Sequence, residues 1–471
     1  MSSINVNIKN SGKTYPIVLN LTDNALRFKQ QIQEATRIPI ERQKILLKSG
    51  QLNNNDTLIS DLNLKNNQLI MVLGSPELNL PVAPVIDETA QEAQDIFEVP
   101  EPIGLVNLGN TCYLNSTIQS LNSIDLLKNE LKKNKKFGAI GSNENLVYQL
   151  QNVFQSLDNT KQESVIPSQL VTSLRQSYPQ FGERDDHGRF KQQDAEEVFS
   201  QLLNSLRSVL GEEFIENFTL NFKSIVKNIE DASDVQEKFE SDLKLQCHIT
   251  GQTNFLKTGL VESLTETIEK HSDKLGKNCQ YEVSKRITKL PKVLTVQFVR
   301  FFWKTSTNKK SKILRKVTFP FQLDLSDLLE DEYKTSKIKT RDQLRSLEKD
   351  KLNEINDFKK LRKPQHETDK FLDETNKKYL EKYQTVYPSD LTKGENASSI
   401  YELTAVITHQ GSSADSGHYQ AFVKDKIDDT QWWRFNDDKV SIVDKERVEG
   451  LAGGGESDSA LILIYKGFGL E

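Results

Sequence analysis

Three cysteines and six histidines are the groups in this 471-residue sequence best suited to nucleophilic or proton-transfer chemistry near neutral pH. Cys112 stands out among the cysteines. It follows the polar, glycine-containing run Asn107-Leu108-Gly109-Asn110-Thr111, and a helical pattern starts with it, Leu114, Ile118 and Leu121 recurring at four- and three-residue steps. The thiol therefore falls in the first turn of a buried helix, where free N–H groups and the positive dipole end favour thiolate. A packed, inert cysteine is the other reading, and the polar run argues against it.

A thiol nucleophile needs a base. His418 lies where the small-residue stretch 411–417 meets a strand-like stretch, 419–424, so a sheet would hold its backbone while the imidazole stays accessible. His409 competes by proximity but reads as the end of a strand over 403–408. His187 reads as a solvated loop residue, and His248, His271 and His366 have polar neighbours without an evident partner. Further on, Asn436 or Asp437 ends the aromatic run Trp432-Trp433-Arg434-Phe435 and could orient the imidazole as a third catalytic member. A turn that uses Asn-Asp only for local backbone bonding is the alternative.

Taken together, GLVNLGNTCYLNSTIQSL, SGHYQAFVK and WWRFNDDKV resemble the Cys and His boxes of the ubiquitin-specific proteases, a family of cysteine deubiquitinases. The resemblance implies Cys112 as nucleophile, His418 as general base and then acid, and Asn436 as the orienting residue, with Asp437 as its fallback. It also implies an oxyanion-stabilising amide at Asn107, where a carboxamide N–H₂ contributes a few kcal/mol in related chemistry. The helix pattern KQQDAEEVFSQLL is similar to another family segment, which implies that Gln193 and Asp194 contact the extended ubiquitin tail. A favourable first-turn charge is the alternative reading of Asp194. With Tyr419 it would line a channel too narrow for side chains, matched to a Gly-Gly tail.

The rest of the chain supplies the scaffold. Residues 1–74 alternate as two strands around Ser11-Gly12-Lys13, then show helical spacing at Ala25, Phe28 and Ile32, then further strands. The segment ILLKSGQLNNNDTLISDL resembles a ubiquitin-like domain of the β-grasp type. It lacks a terminal Gly-Gly, and by the same resemblance Leu46 and Val72 are expected on its recognition face. Residues 75–102, with five prolines, read as a linker with a short helix over 90–97. Residues 103–471 read as the catalytic domain, a helical part and antiparallel sheets forming a papain-like cleft, so the fold class is α+β. A Lys/Glu-rich insertion at about 333–388 has the spacing of a helical hairpin. Two polar stretches, 303–312 and 410–417, read as loops that flank the tail channel and could cover it.

Composition bounds the partners. A net charge of −5 gives no basic surface for nucleic acid, and no apolar run approaches a membrane span or a signal peptide. Three cysteines cannot build a disulfide framework, so a reducing compartment is expected. Cys247 and Cys279 cannot supply the two CxxC pairs of a structural zinc site, so neither metal nor cofactor is expected. The combination of domains resembles the proteasome-associated ubiquitin-specific proteases. That implies ubiquitin and polyubiquitin conjugates as substrates, and the 26S regulatory particle as partner through the ubiquitin-like domain. It further implies a monomer elsewhere, and residence with proteasomes in cytoplasm and nucleus.

Overall fold

A computed structural model describes residues 3–10, 13–36, 38–47, 50–52, 54–62, 64–66, 68–73, 101–159, 163–304, 309–413, 416–455 and 457–470. The chain divides into two compact units, Met1–Gln94 and Asp95–Glu471. Of the expected linker, all but 101–102 lies outside the described residues, as does its expected helix.

In the first unit, β1 (Ser3–Asn10) and β2 (Lys13–Asn20) pair antiparallel, as their alternation requires. Then come α1 (Ala25–Thr36), β3 (Lys44–Leu47), β4 (Gly50–Gln51) and β5 (Gln68–Leu73). The strand order is β2-β1-β5-β3-β4, with β5 parallel to β1. Ala25, Phe28 and Ile32 bury one face of α1 against Val6, Ile8, Ile17, Leu19, Ile45 and Ile70. Full burial of such large side chains contributes about 1.5–3 kcal/mol each.

One sequence expectation fails here. Val72 is only 1% exposed, whereas Leu69 and Met71 are 54% and 50% exposed. Side chains alternate strictly along a strand, so an offset of one residue from the assumed pattern moves Val72 into the core. Leu46 pairs in register with Met71.

The second unit opens with β6 (Gly104–Leu105), which pairs parallel with β7 (Ser164–Val165). Its helical half contains α2 (Cys112–Asn122), α3 (Asp125–Lys133), α4 (Asn143–Asn159), α5 (Ser168–Ser177), α6 (Ala195–Leu210) and the single turn α7 (Glu212–Ile215). Leu114, Ile118 and Leu121 of α2 are wholly buried, with Leu146 and Leu150 from α4 and Val198 and Leu202 from α6 in the same core.

Next come β8 (Leu220–Asn228), β9 (Val235–Asp242), β10 (Leu245–His248), α8 (Leu256–Ser263), β11 (Thr265–Ser272) and β12 (Lys277–Lys289). The order β11-β12-β8-β9 makes a separate antiparallel sheet. The main sheet combines β10 with β13 (Val293–Val299), β14 (Phe301–Lys304), β15 (Lys309–Lys312), β16 (Gln322–Asp324), β17 (Ile400–Ser413), β18 (Ser416–Lys424), β19 (Gln431–Asn436), β20 (Lys439–Asp444) and β21 (Ser459–Gly467). Its spine runs β10-β13-β21-β17-β18-β19-β20. β21 reads SALILIYKG and is buried on both faces: Ile462 and Ile464 join the helical core, Leu463 and Tyr465 the core behind the sheet. A continuous apolar run is what two covered faces demand.

The two stretches expected as loops are largely strand. β14 pairs with β15, and β17 continues to Ser413 before β18 returns from Ser416. Residues 305–308 and 414–415 lie outside the described residues. The insertion forms two helices, α9 (Asp331–Lys359) and α10 (Gln365–Thr385). Leu344, Tyr379 and Tyr383 pack on Ile400 and Phe468, while Phe358 stacks on Phe371 with ring centroids 3.8 Å apart.

The alternation in β5 yields a direct test. Val72→Asp buries an unpaired carboxylate and is expected to unfold the first unit, whereas Met71→Asp leaves it folded. Hydrogen exchange at the amides of β3 and β5 in the full chain measures the difference; equal protection in both variants would contradict the register.

Candidate active site

The loop before α2 is shaped by its own polar side chains. Asn107 Oδ1 accepts from the backbone N–H groups of Gly109 (2.9 Å) and Thr111 (3.3 Å), and Thr111 Oγ1 accepts from Leu108 N at 2.9 Å. These local bonds hold Gly109 and Asn110 at φ 91° and 55°, in the left-handed region that glycine and asparagine tolerate. They deliver Cys112 to the first position of α2. Asn110 also reaches outward, its Nδ2 donating to Phe190 O at 2.8 Å.

His418 is on β18, directly after Gly417. A Cβ on Gly417, whose φ is 124°, would collide with the Gln410 carbonyl, so glycine is required where β17 and β18 converge. The His418 Nε2 lies 2.6 Å from Asn436 Oδ1, at the end of β19. Because Oδ1 can only accept, Nε2 is the donor in this contact, which leaves Nδ1 as the ring nitrogen not engaged by Asn436. The backbone N–H of Tyr419, the next residue, donates to the Cys112 sulfur. Nucleophile candidate and base candidate are thus brought to one spot, α2 packing across β18. A cleft of about 470 Å³ lined by Gln410, Gly411, Gly417, His418 and Ser457 leads to the imidazole.

Asp437 has other partners. It occupies the left-handed region at φ 54°, so its side chain diverges from that of Asn436. Its Oδ2 accepts from Asn107 Nδ2 at 3.0 Å and its Oδ1 from Asn115 Nδ2 at 2.8 Å. Its carbonyl accepts from Leu105 N at 2.9 Å, and Gly104 packs so closely on Asp438 that a Cβ there would clash. Of the two orienting candidates, Asn436 is the one against His418, while Asp437 joins the β19–β20 turn to the loop that carries Cys112.

Burial of Cys112 works against the expected thiolate. Cys112 is 3% exposed, and burial pushes its thiol up to about 11. The Tyr419 N–H opposes this, and the Asp437 charge reinforces it. Desolvation outweighs the favourable position at the start of α2. His409, the rival base, is wholly buried with its ring edge-on to Phe301 and Tyr419. Burial first, then the Lys312 ammonium, holds it neutral with a pKa down to about 3. His187 is exposed.

The remaining expected contacts are more mixed. Asp194 caps α6, its Oδ1 accepting from Glu196 N at 3.0 Å, and Gln193 Nε2 donates to Gln180 O at 3.0 Å. The Tyr419 ring is 1% exposed and packs in the helical core, so it is not a channel wall in this structure; the residue offers its backbone N–H instead. Cys247 and Cys279 are buried in different sheets, and among the described residues no cluster of His, Cys, Asp and Glu could hold a metal.

Sequence reading missed a supporting network. Gln420 Nε2 donates to Asp458 Oδ1 (3.2 Å), Arg434 Nε donates to Gln420 Oε1 (2.7 Å), and Arg447 pairs with Asp458 at 2.9 Å. These bonds tie the strand of His418 to the strand of Asn436. The available signal was a glutamine two residues from His418, and hence on its side of the strand, inside an otherwise apolar run. Asn115 carried a similar one, as an amide one turn after Cys112 on a buried helix.

Comparison with known proteins identifies the family. Residues 103–465 match the family model described as ubiquitin carboxyl-terminal hydrolase, and residues 6–77 match the ubiquitin family. The chain is 37% identical to ubiquitin carboxyl-terminal hydrolase 6 of Schizosaccharomyces pombe, covering 98% of each chain. It is 36% identical to ubiquitin carboxyl-terminal hydrolase 6 of Arabidopsis thaliana, covering 93% of each. Identity to ubiquitin carboxyl-terminal hydrolase 14 of Caenorhabditis elegans is 31%, covering 98% of this chain and 93% of that protein. The chain therefore belongs to the ubiquitin carboxyl-terminal hydrolases, cysteine-protease deubiquitinases, and has a ubiquitin-like domain before its catalytic domain.

Proposed function

We propose that this deubiquitinase hydrolyses the isopeptide bond after the C-terminal glycine of ubiquitin on conjugates delivered to the proteasome, and so returns ubiquitin for reuse. The observation that carries the catalytic assignment is the contact of His418 with Asn436 at 2.6 Å beside a sulfur that accepts the Tyr419 N–H. In this reading, His418 Nδ1 takes the thiol proton as Cys112 Sγ bonds to the glycyl carbonyl carbon. The tetrahedral oxyanion is met by Asn107, whose Nδ2 donates one N–H to Asp437 and has a second to offer. His418 then gives its proton to the leaving lysine amine as the C–N bond breaks. Water, deprotonated by the same imidazole, releases ubiquitin from the acyl-enzyme.

The role of Asp437 follows from its partners: it orients the Asn107 amide, while the neutral Asn436 sets the imidazole tautomer. Gln193 and Asp194, at the start of α6, are assigned to the ubiquitin tail. The ubiquitin-like domain is assigned to docking on the regulatory particle, in cytoplasm and nucleus. Leu46 is kept as a docking residue, and exposed Leu69 and Met71 replace buried Val72. The β14–β15 and β17–β18 hairpins are assigned to covering the site before docking, in keeping with the 3% exposure of Cys112.

Three outcomes test this. Ubiquitin with an electrophilic C-terminus is expected to capture the parent covalently and the Cys112→Ala variant not at all, with His418→Ala slowed about 10²- to 10⁴-fold; capture of neither parent nor variant would favour a non-catalytic adaptor. Because the thiol is favoured below about pH 11, iodoacetamide labelling of the Cys112 peptide in the free enzyme should rise about tenfold per pH unit between roughly pH 7 and 10. A rate already flat from pH 6 would mean a standing thiolate–imidazolium pair. Finally, Met71→Asp should weaken retention on purified regulatory particles about tenfold or more while fluorogenic ubiquitin cleavage by the free enzyme persists; undiminished retention would remove that face from docking.

A further inference from the structure

The loop between α5 and α6 contains an arrangement the catalytic assignment does not use. Residues 183–191 fold back on themselves: Arg184 and Phe190 form an antiparallel bridge, and Lys191 N donates to Glu183 O at 3.0 Å. The Asp185 carboxylate accepts from the N–H groups of His187 and Arg189, each at 2.9 Å, and Gly188 turns the chain at φ 75°. Bridge partners share a face, so Arg184 lies over the Phe190 ring, its guanidinium carbon 3.9 Å from the centroid. Arg175, from the last turn of α5, stacks on the same ring at 3.4 Å.

Two cations on one ring repel each other, and among the described residues none of the loop carboxylates, Glu183, Asp185 and the exposed Asp186, forms an ion pair with either. Arg189 is paired with Asp185 at 3.1 Å and Lys191 with Glu183 at 3.4 Å. Among the described residues neither Arg175 nor Arg184 has an ion-pair partner. Arg184 donates only to the Gly188 carbonyl, and the buried Arg175 Nε has no hydrogen-bond partner. Burial first, opposed by Tyr113 and reinforced by Arg184, pulls the Arg175 guanidinium below its ordinary pKa, an environment that a carboxylate would relieve. The backbone carbonyl of Phe190, the residue whose ring carries both cations, accepts from Asn110 Nδ2 of the nucleophile loop at 2.8 Å.

We propose that Arg175 and Arg184, held on Phe190, form a subsite for an acidic side chain of the lysine-bearing protein, next to the isopeptide bond. This rests on the hydrolase reading above. The acyl half of that bond is Gly-Gly, without side chains, so a carboxylate beside the nucleophile loop is supplied by the leaving half. The subsite makes the enzyme select among ubiquitinated lysines by the charge of their neighbours.

The test uses the full-length enzyme and ubiquitin joined to the lysine of two peptides, alike except that Glu or Gln flanks the lysine. The parent is expected to show a KM about fivefold lower for the Glu peptide with similar kcat, a difference that shrinks at high salt. Arg184→Gln should erase the preference, Arg184→Glu should reverse it, and Arg184→Lys, which keeps the charge, should retain most of it. Equal KM values for the parent, or a preference that survives Arg184→Gln, would overturn the subsite while leaving the hydrolase intact. Failure of the parent to cleave either peptide or a fluorogenic ubiquitin would overturn the hydrolase reading and the subsite with it.

Discussion

The active site depends on a turn in which two neighbouring residues face different halves of the catalytic unit. Asn436 ends β19 and meets His418; Asp437, in the left-handed region, points instead to Asn107 and Asn115. Each half contributes what the other lacks, a helix with a thiol and a sheet with an imidazole. Without the Asp437 carboxylate, two carboxamides beside the nucleophile would lose a charge-assisted partner in a partly buried site, where unmet polar groups are costly. The close approach of Gly104 to Asp438 and the Leu105–Asp437 backbone bond reinforce the same seam.

Electrostatics at this seam run against a resting thiolate. Enclosure of Cys112 and the nearby Asp437 charge both favour the protonated thiol, and the backbone N–H groups of Tyr419, Tyr113 and Cys112 itself are too little to reverse them. In the proposed mechanism, reactivity is then conditional on substrate, which introduces the carbonyl that makes proton transfer to His418 productive. A neutral orienting amide suits this arrangement, since it fixes the tautomer without adding a further negative charge beside the sulfur.

Beyond the site, the scaffold separates rigidity from adaptability. β17 and β21 are walled by apolar cores on both sides, so the strand next to β18 cannot shift without disturbing both. The buried Arg300 adds to this by donating to the carbonyls of Ala460, Ile313, Arg315 and Ala452, which pins the glycine-rich turn at 453–455 beside the cleft. The α9–α10 insertion, by contrast, packs through a small cluster shared with Ile400 and Phe468, buries Lys337 against Glu395 and leaves most of its other charged residues exposed.

Much was legible in the sequence because it is encoded locally. The polar run before Cys112, the stripe of Leu114, Ile118 and Leu121, the glycine before His418 and the alternation in the first two strands each act within a few residues, and all recur in the structure. The choice between Asn436 and Asp437 was not local, since it turned on a backbone φ and on partners more than three hundred positions away. Nor was the state of Cys112: a helix start is visible in sequence, but the depth at which it is buried is set by every element around it. Val72 shows the same limit on a smaller scale, because strand periodicity is readable while its phase is decided by which face the helix covers. Residue types and short-range spacing thus determined the chemistry available to this protein; tertiary packing decided which side chains meet and how much water they keep, because contact and desolvation are properties of the assembled chain.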